Sequence, residues 1–221
     1  MVKMVKVEIY SDVVCPWCYI GKRRWEAALQ RLAVQRGESV LAVFDVEFKP
    51  YQLDPTAPST PTPVREAYAK KFGGPERADS IIANVSQIAA EVGLEFRMDR
   101  ALRANTRNAH RLIALAFDHD LQAAMKERLM KAYFVDGLDV GSTEVLVELA
   151  GEVGLDPIAA QRYLESDVGI EQLDAELAEA HEIGVSAVPT FVFNGEFAVP
   201  GAQDPEVFVR VLSKLLDQST T

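Results

Sequence analysis

Cys15 and Cys18 stand at the junction of an alternating segment and a helical one, and this junction constrains the chain more than any other feature. Residues 5–11, Val-Lys-Val-Glu-Ile-Tyr-Ser, alternate apolar and polar side chains, the period of a half-buried strand. From Trp17 to about Gln35 the period becomes helical. Ile20, Trp25, Ala28, Leu29 and Leu32 share one face, and Gly37 closes the helix. A second run at 40–48, β-branched and aromatic, predicts another strand. A strand, a helix and a strand so closely spaced predict a parallel pair joined by a right-handed crossover. The Cys-Pro-Trp-Cys stretch therefore opens a helix at a strand end. Unpaired N–H groups and the helix dipole favour a thiolate there, which lowers the first thiol below its ordinary ~8.5. On this reading Cys15 is the nucleophile and Cys18, one turn on and less exposed, the resolving thiol. Pro16 suits the first helical turn, where no N–H is needed.

The residue types alone leave three readings: a redox dithiol, half of a zinc site, or two core cysteines. A tetrahedral zinc site needs four ligands. The chain has no third cysteine, and its three histidines, His110, His119 and His181, are not at ligand spacing. No metal is expected. The core reading fits poorly, because the pair follows a strand end rather than lying within an apolar face. The redox dithiol leads.

Beyond the second strand the composition shifts. Residues 54–63 hold Pro55, Pro58, Pro61 and Pro63 and read as a linker or exposed loop. From 64 to 183 the pattern is helical, in segments near 64–72, 76–92, 105–118, 121–134, 143–153, 157–165 and 169–183. Ser142 and Asp156-Pro157 are helix starts. Strand signals return at 190–193 and 196–199 around Asn194-Gly195, a hairpin turn, before a last helix near 205–216. Each outer piece is too small to bury a sheet alone. Together they predict one α/β sheet with helices on both faces, formed by residues 1–55 plus 184–221 and interrupted by an α-helical insertion, 56–183. A chain of 221 residues can bury such a core without a disulfide staple.

Charge narrows the partners. The net charge of −10 argues against nucleic acid and against anionic membranes. No apolar stretch is long enough to span a bilayer, and no signal peptide is visible at Met1-Val2-Lys3-Met4-Val5-Lys6-Val7-Glu8. A soluble, cytoplasmic protein, monomer or homodimer, is expected.

Four stretches carry a family likeness. Tyr10-Ser-Asp-Val-Val-Cys-Pro-Trp-Cys-Tyr-Ile-Gly21 resembles the DsbA-like thioredoxin superfamily, specifically its FrnE branch. Asn105-Thr-Arg-Asn-Ala-His-Arg-Leu112 resembles a helix of that branch's inserted domain, and Gly184-Val-Ser-Ala-Val-Pro-Thr-Phe191 its cis-proline loop. Val199-Pro-Gly-Ala-Gln203 is similar to the closing strand and turn. The resemblance implies a thioredoxin-like fold with a large α-helical insertion domain. It implies a cis Val188–Pro189 bond facing the cysteines, with Val188 offering its backbone to an extended substrate. Substrate contacts are thus expected at Pro16, Trp17, Val188 and Pro189. The sequence departs from the wider pattern where Ile9 replaces a buried carboxylate, and where Pro16-Trp17 replaces the histidine of strongly oxidising members. It also has no second cysteine pair.

Other residues have a bland and a sharp reading. Asp12 is a turn or cap residue, or a proton relay. Trp17 packs on the insertion, or touches substrate. His110 is a buried, hydrogen-bonded histidine, or lines the substrate groove. Trp25, Phe191 and Phe193 read as core, Asn105 as a helix N-cap, and the acidic run 171–182 as a solvated helix face.

The leading function is thiol-disulfide exchange with protein or small-molecule substrates. No cofactor is expected, other than glutathione or another low-molecular-weight thiol as co-substrate. The alternative is a glutathione-dependent transferase or isomerase of the kappa-class type, though such enzymes commonly use a serine where this chain has Cys15. A non-enzymatic holdase is the third class.

Overall fold

The computed structural model describes residues 4–58 and 60–219. Met1 to Lys3 of the N-terminal reading, Ser59 of the proline-rich stretch, and the last two residues of the 184–221 segment lie outside that range.

Strand β1 (Val5–Ser11) leads into helix α1 (Pro16–Arg36), and β2 (Phe44–Pro50) follows. β1 pairs in parallel with β2, Val7 opposite Val46 and Ser11 opposite Pro50. The hairpin β5 (Thr190–Phe193) and β6 (Phe197–Pro200) completes a four-stranded sheet of order β2-β1-β5-β6. Its three-residue loop, 194–196, turns on Asn194 and Gly195, whose φ values are 53° and 66°, and Glu196 N donates to Phe193 O at 2.9 Å. Alternation along the strands divides the two faces. Val5, Val7, Ile9, Phe191 and Phe193 point to the main core, under α1 and α9 (Pro205–Ser219). Tyr10 and Val192 point to the other face, against Ala180 of α8 (Ile170–Glu182). Trp25 is buried at the centre of the first face, with ring centroids of Phe191, Phe193 and Phe208 at 5.6, 6.2 and 5.5 Å. Truncating such a ring costs about 3–5 kcal/mol.

Between β2 and β5 the chain is helical: α2 (Val64–Phe72), α3 (Pro75–Glu91), α4 (Arg107–Phe117), α5 (Gln122–Lys131), α6 (Thr143–Glu152) and α7 (Pro157–Glu165). Ser142 caps α6 by accepting from Val145 N, and Asp156 caps α7 by accepting from Ile158 N. A π-helical turn, Ala132–Asp136, continues α5. One apolar core joins these helices to the sheet. Tyr19 of α1 lies 6.0 Å from Phe96 and 5.9 Å from Phe134, which stack on each other at 4.4 Å. Its hydroxyl donates to Glu127 of α5 at 2.7 Å. Gln122 binds the backbone of β2, its Oε1 accepting from Phe48 N at 2.8 Å and its Nε2 donating to Phe48 O at 3.1 Å. The buried Arg111 donates to the carbonyls of Tyr163, Leu164, Ser166 and Val168, and so fixes the turn that ends α7.

Three sequence expectations need correction. The strand expected at 40–48 begins only at Phe44; Glu38–Val43 is a 3₁₀ turn. Phe44 pairs with Val5, where β1 begins, and residues 40–43 have no ladder partner among the described residues. Of the two readings of the proline-rich stretch, the exposed loop holds, since most of its described residues are exposed, and the linker does not. Asp54 pairs with Arg103 at 2.7 Å, and Ala57 O accepts from Asn105. Thr62–Pro63 (β3) forms a two-residue ladder with Leu102–Arg103 (β4). Asn105 is not the N-cap of α4, a position held by Thr106. The Asn105 side-chain Oδ1 still accepts from Arg107 N at 3.0 Å, one residue earlier than a cap would. The acidic face of α8 is mostly exposed, with Asp174 and Glu176 paired to Arg107 and Lys49.

Candidate active site

Cys15 is the N-cap of α1. Its backbone is extended, at φ −88° and ψ 114°, and its carbonyl accepts from the N–H groups of Cys18 and Tyr19. Cys15 N donates to Asp12 O, which closes the turn from β1 into the helix. Pro16 at the first helical position fixes that backbone at no cost in donors. The Cys15 thiol points at Val188 O, 3.6 Å from Sγ. The bond from Val188 to Pro189 is cis. Gly21, one turn beyond Cys18, lets this loop approach: a Cβ there would sit 2.9 Å from Pro189 Cγ. The site thus brings Cys15, Pro16, Cys18, Val188 and Pro189 together.

Both cysteines are nearly covered, yet only Cys15 borders open space. A groove of ≈ 710 Å³ runs from the start of α1 and the Ser186–Val188 loop to α2 and α3. Trp17, 40% exposed, stands at its mouth, and Val14, Tyr68, Phe72 and Val85 supply apolar wall. The exposed Lys70 and Lys71 lie along one side. Burial, then the charge of Cys15, pushes the Tyr68 hydroxyl up to about 12. Burial also pushes Tyr133 up, helped by Tyr68, Asp12 and Cys15. Both phenols therefore remain protonated at neutral pH. Tyr133 comes from the π-helical turn, a feature that often re-aims a side chain at a site.

The other side of the dithiol is polar and buried. Burial raises the Cys18 thiol well above its ordinary value, and contact with Cys15 raises it further; Lys126 and the backbone of Asp12 oppose this. Asp12, fully buried, accepts from Leu53 N at 2.8 Å and meets His110 Nε2 at 3.2 Å. Lys126 is 1% exposed and donates to Ser11 O at 3.3 Å. Burial lowers its ammonium to about 8, against the raising influence of Cys18, Asp12 and Cys15. Beyond His110 and Lys126 lies a cavity of ≈ 150 Å³, also lined by Phe48, Gln122 and Tyr163. His110 thus borders this rear cavity and not the groove, which corrects the sharper expectation for it and keeps the bland one. Asp12 is a buried link, tied to His110 and Leu53, rather than a helix cap. Ile9, where a carboxylate was sought, is core.

Sequence reasoning missed Lys126, Tyr68, Tyr133 and the contact at Gly21. Lys126 had a signal. Gln122, Met125, Lys126 and Leu129 fall at the i, i+3, i+4, i+7 spacing of one buried stripe, two of whose members are polar. Among the described residues no cluster of three or more His, Cys, Asp or Glu could hold a metal ion, and no helix is long and apolar enough to cross a membrane.

The comparisons agree with this geometry. The probable DsbA oxidoreductase of Streptomyces coelicolor is 32% identical, with a TM-score of 0.87 over 97% of this chain and 91% of that one. The Bacillus subtilis protein YwbO, itself uncharacterised, is 27% identical over 217 residues, 95% of this chain and 96% of its own. The cytosolic disulfide reductase DsbM of Pseudomonas aeruginosa, at 22% identity, shares the fold with a TM-score of 0.65 over 96% of this chain and 99% of that one. The family model of the DsbA-like thioredoxin domain matches residues 6–213. With its cysteine pair at the head of α1 and its cis-proline loop opposite, the chain belongs to the DsbA-like thioredoxin family.

Proposed function

We propose that the protein is a thiol-disulfide oxidoreductase working through Cys15 and Cys18. The observation that carries this is the unequal placement of the two thiols: Cys15 at a helix N-cap on the groove wall, Cys18 covered beneath it. The Cys15 thiolate attacks one sulfur of a substrate disulfide, and the other sulfur leaves as a thiolate. Cys18, deprotonated, then attacks Cys15 Sγ. The second substrate sulfur leaves with the electron pair of the broken bond, and the Cys15–Cys18 disulfide forms. The substrate gains two electrons and the protein loses two. The reverse sequence oxidises a dithiol, and the potential sets the direction. Val188 O, Pro189, Pro16 and Trp17 line the path along which an extended substrate segment would lie. The division into residues 1–55 plus 184–221 and an inserted 56–183, the FrnE branch, and a cytoplasmic setting belong to the same reading.

The test is the equilibrium of the pair in glutathione redox buffers, read by thiol alkylation and mass. A two-electron transition between about −120 and −270 mV is expected. No Cys15–Cys18 disulfide across that range overturns the proposal. A second reading, a glutathione-dependent transferase or isomerase, draws on Lys70 and Lys71 beside the groove, which suit a compact anionic thiol. Full activity in Cys18→Ser would favour it.

A further inference from the structure

Lys126 is the least expected charge in the molecule. It lies on α5, in the helical segment, yet its side chain is 1% exposed and reaches the end of β1. Burying an ammonium is costly unless it is paired and fully hydrogen-bonded. Here its hydrogen bond is to a backbone carbonyl, Ser11 O, at 3.3 Å, and its Nζ stands 5.9 Å from the centre of the Phe48 ring. The hydroxyl of that same Ser11 is buried and, among the described residues, has no hydrogen-bond partner. Such an undersatisfied pair calls for an explanation beyond packing.

The charged and titratable groups around Lys126 are Asp12 before α1, Cys15, Cys18 and Lys22 on α1, and His110 on α4, which shares the rear cavity. Glu47, Lys49, Asp118 and Glu176 line the rest of that cavity. Cys18 has the opposite problem to Lys126. It is buried, its thiol resists ionisation, and the site's carboxylate position is Ile9. The two groups influence each other's ionisation, and each relieves the other's cost: a proton moved from sulfur to nitrogen makes an ion pair in place of two isolated strains.

We propose that Lys126 is the proton-handling residue of Cys18, and that the rear cavity connects it to solvent. The inference rests on the dithiol reading above. In the mixed disulfide, the proton of the Cys18 thiol passes, by way of a bridging water, to the neutral Lys126 amine. The thiolate attacks Cys15 Sγ, the Cys15–substrate S–S bond breaks, and the substrate sulfur leaves with its electron pair. The ammonium then releases its proton to solvent through the cavity. In the reverse direction the ammonium returns a proton to Cys18 as the disulfide opens. The substrate thus approaches from one side of the dithiol and the proton leaves by the other. Lys126, lowered to about 8, is partly neutral under ordinary conditions, as the role requires.

The experiment follows the resolving step alone. An aromatic thiol is placed on Cys15 as a mixed disulfide, and its release by Cys18 is timed by stopped-flow absorbance from pH 6 to 10. In the wild type the rate should rise through an inflection near the lysine's value. Lys126→Met should slow release at pH 7 at least tenfold and move the inflection upward, to that of Cys18 alone. Formation of the mixed disulfide should change by no more than about twofold. Asp12→Asn supplies the second variant, since the Asp12 charge raises Lys126 and is no major influence on Cys18. Its inflection should shift to lower pH. An unmoved inflection in both variants, or an unchanged rate in Lys126→Met, overturns the assignment while leaving the dithiol reading intact. A wild type that never releases the thiol overturns both.

Discussion

The groove beside Cys15 and the cavity behind Lys126 differ in every physical respect. The groove is wide, ≈ 710 Å³, and walled by Val14, Phe72, Val85 and the ring of Trp17. The cavity is ≈ 150 Å³ and carries His110, Lys126, Gln122 and Glu47. An apolar wall accepts varied substrate segments with little directional demand. A polar, buried pocket holds charge in fixed positions, where each interaction is stronger than in water. The dithiol lies between them: Cys15 borders the groove, and Cys18 is covered beneath it. Two sulfurs three residues apart in sequence thus differ in access, and the proposed dithiol reading uses that difference, one thiol for attack and the other for resolution.

The contrast can be broken outright at the sulfurs. Cys15→Ser should abolish mixed-disulfide formation, whereas Cys18→Ser should form it and leave it unresolved; intact-protein mass separates the two. Equal behaviour of the two variants would end the division of labour. The next largest effect is on the wall of the rear cavity. Arg111→Ala removes donors from four carbonyls that fix Tyr163 and Val168 in that wall. A loss of about 3 kcal/mol is expected. That is a fall in Tm of roughly 6–12 °C for a chain of this size, with attack by Cys15 largely kept. Gly21→Ala probes the front. Its methyl would meet Pro189 Cγ at 2.9 Å, and overpacking of this kind costs about 1–3 kcal/mol. Here exchange should fall together with Tm, because Pro189 and Cys15 are pushed apart.

The smallest effect tests the tie between the two sides. Burial pushes the Glu127 carboxyl up, but Lys22, Tyr19 and Arg23 outweigh it and hold it below its ordinary 4.5. A depressed carboxylate contributes stability at pH above its unfolded value, lost as pH falls through its folded one. The stability that Glu127→Gln lacks relative to wild type should thus be present at pH 6 and be lost as the pH falls below the ordinary carboxylate value of 4.5. About 1 kcal/mol is expected for such a half-exposed ion pair, read by Tm in parallel buffers.

Much of this contrast was legible in the sequence, and unevenly. β1, α1 and the Asn194-Gly195 hairpin were readable because each rests on local rules: a period of two, a period of 3.6, an Asn-Gly turn. The groove's Cys15, Trp17 and Val188 were readable because a strand end, a helix start and a proline loop are local as well. The rear was not. Lys126 and Arg111 look like solvated helix charges until their partners are known, and those partners lie 115 and 52 to 57 residues away. The 3₁₀ turn at 38–43 failed for a related reason. Its side chains suit a strand, but a strand needs a neighbour, and among the described residues β1 gives it none.

Gln122 has a consequence for how the molecule meets others of its kind. The outer strands of the sheet are β2 and β6. An outer strand with idle N–H and C=O groups is a template on which a foreign chain can add itself. On β2 the amide of Gln122 occupies both backbone groups of Phe48, the middle of the strand's inward residues, and so imitates a neighbouring strand one residue long. The helical segment thereby blocks one position on that border of the sheet, and it does so with one side chain rather than a whole extra strand.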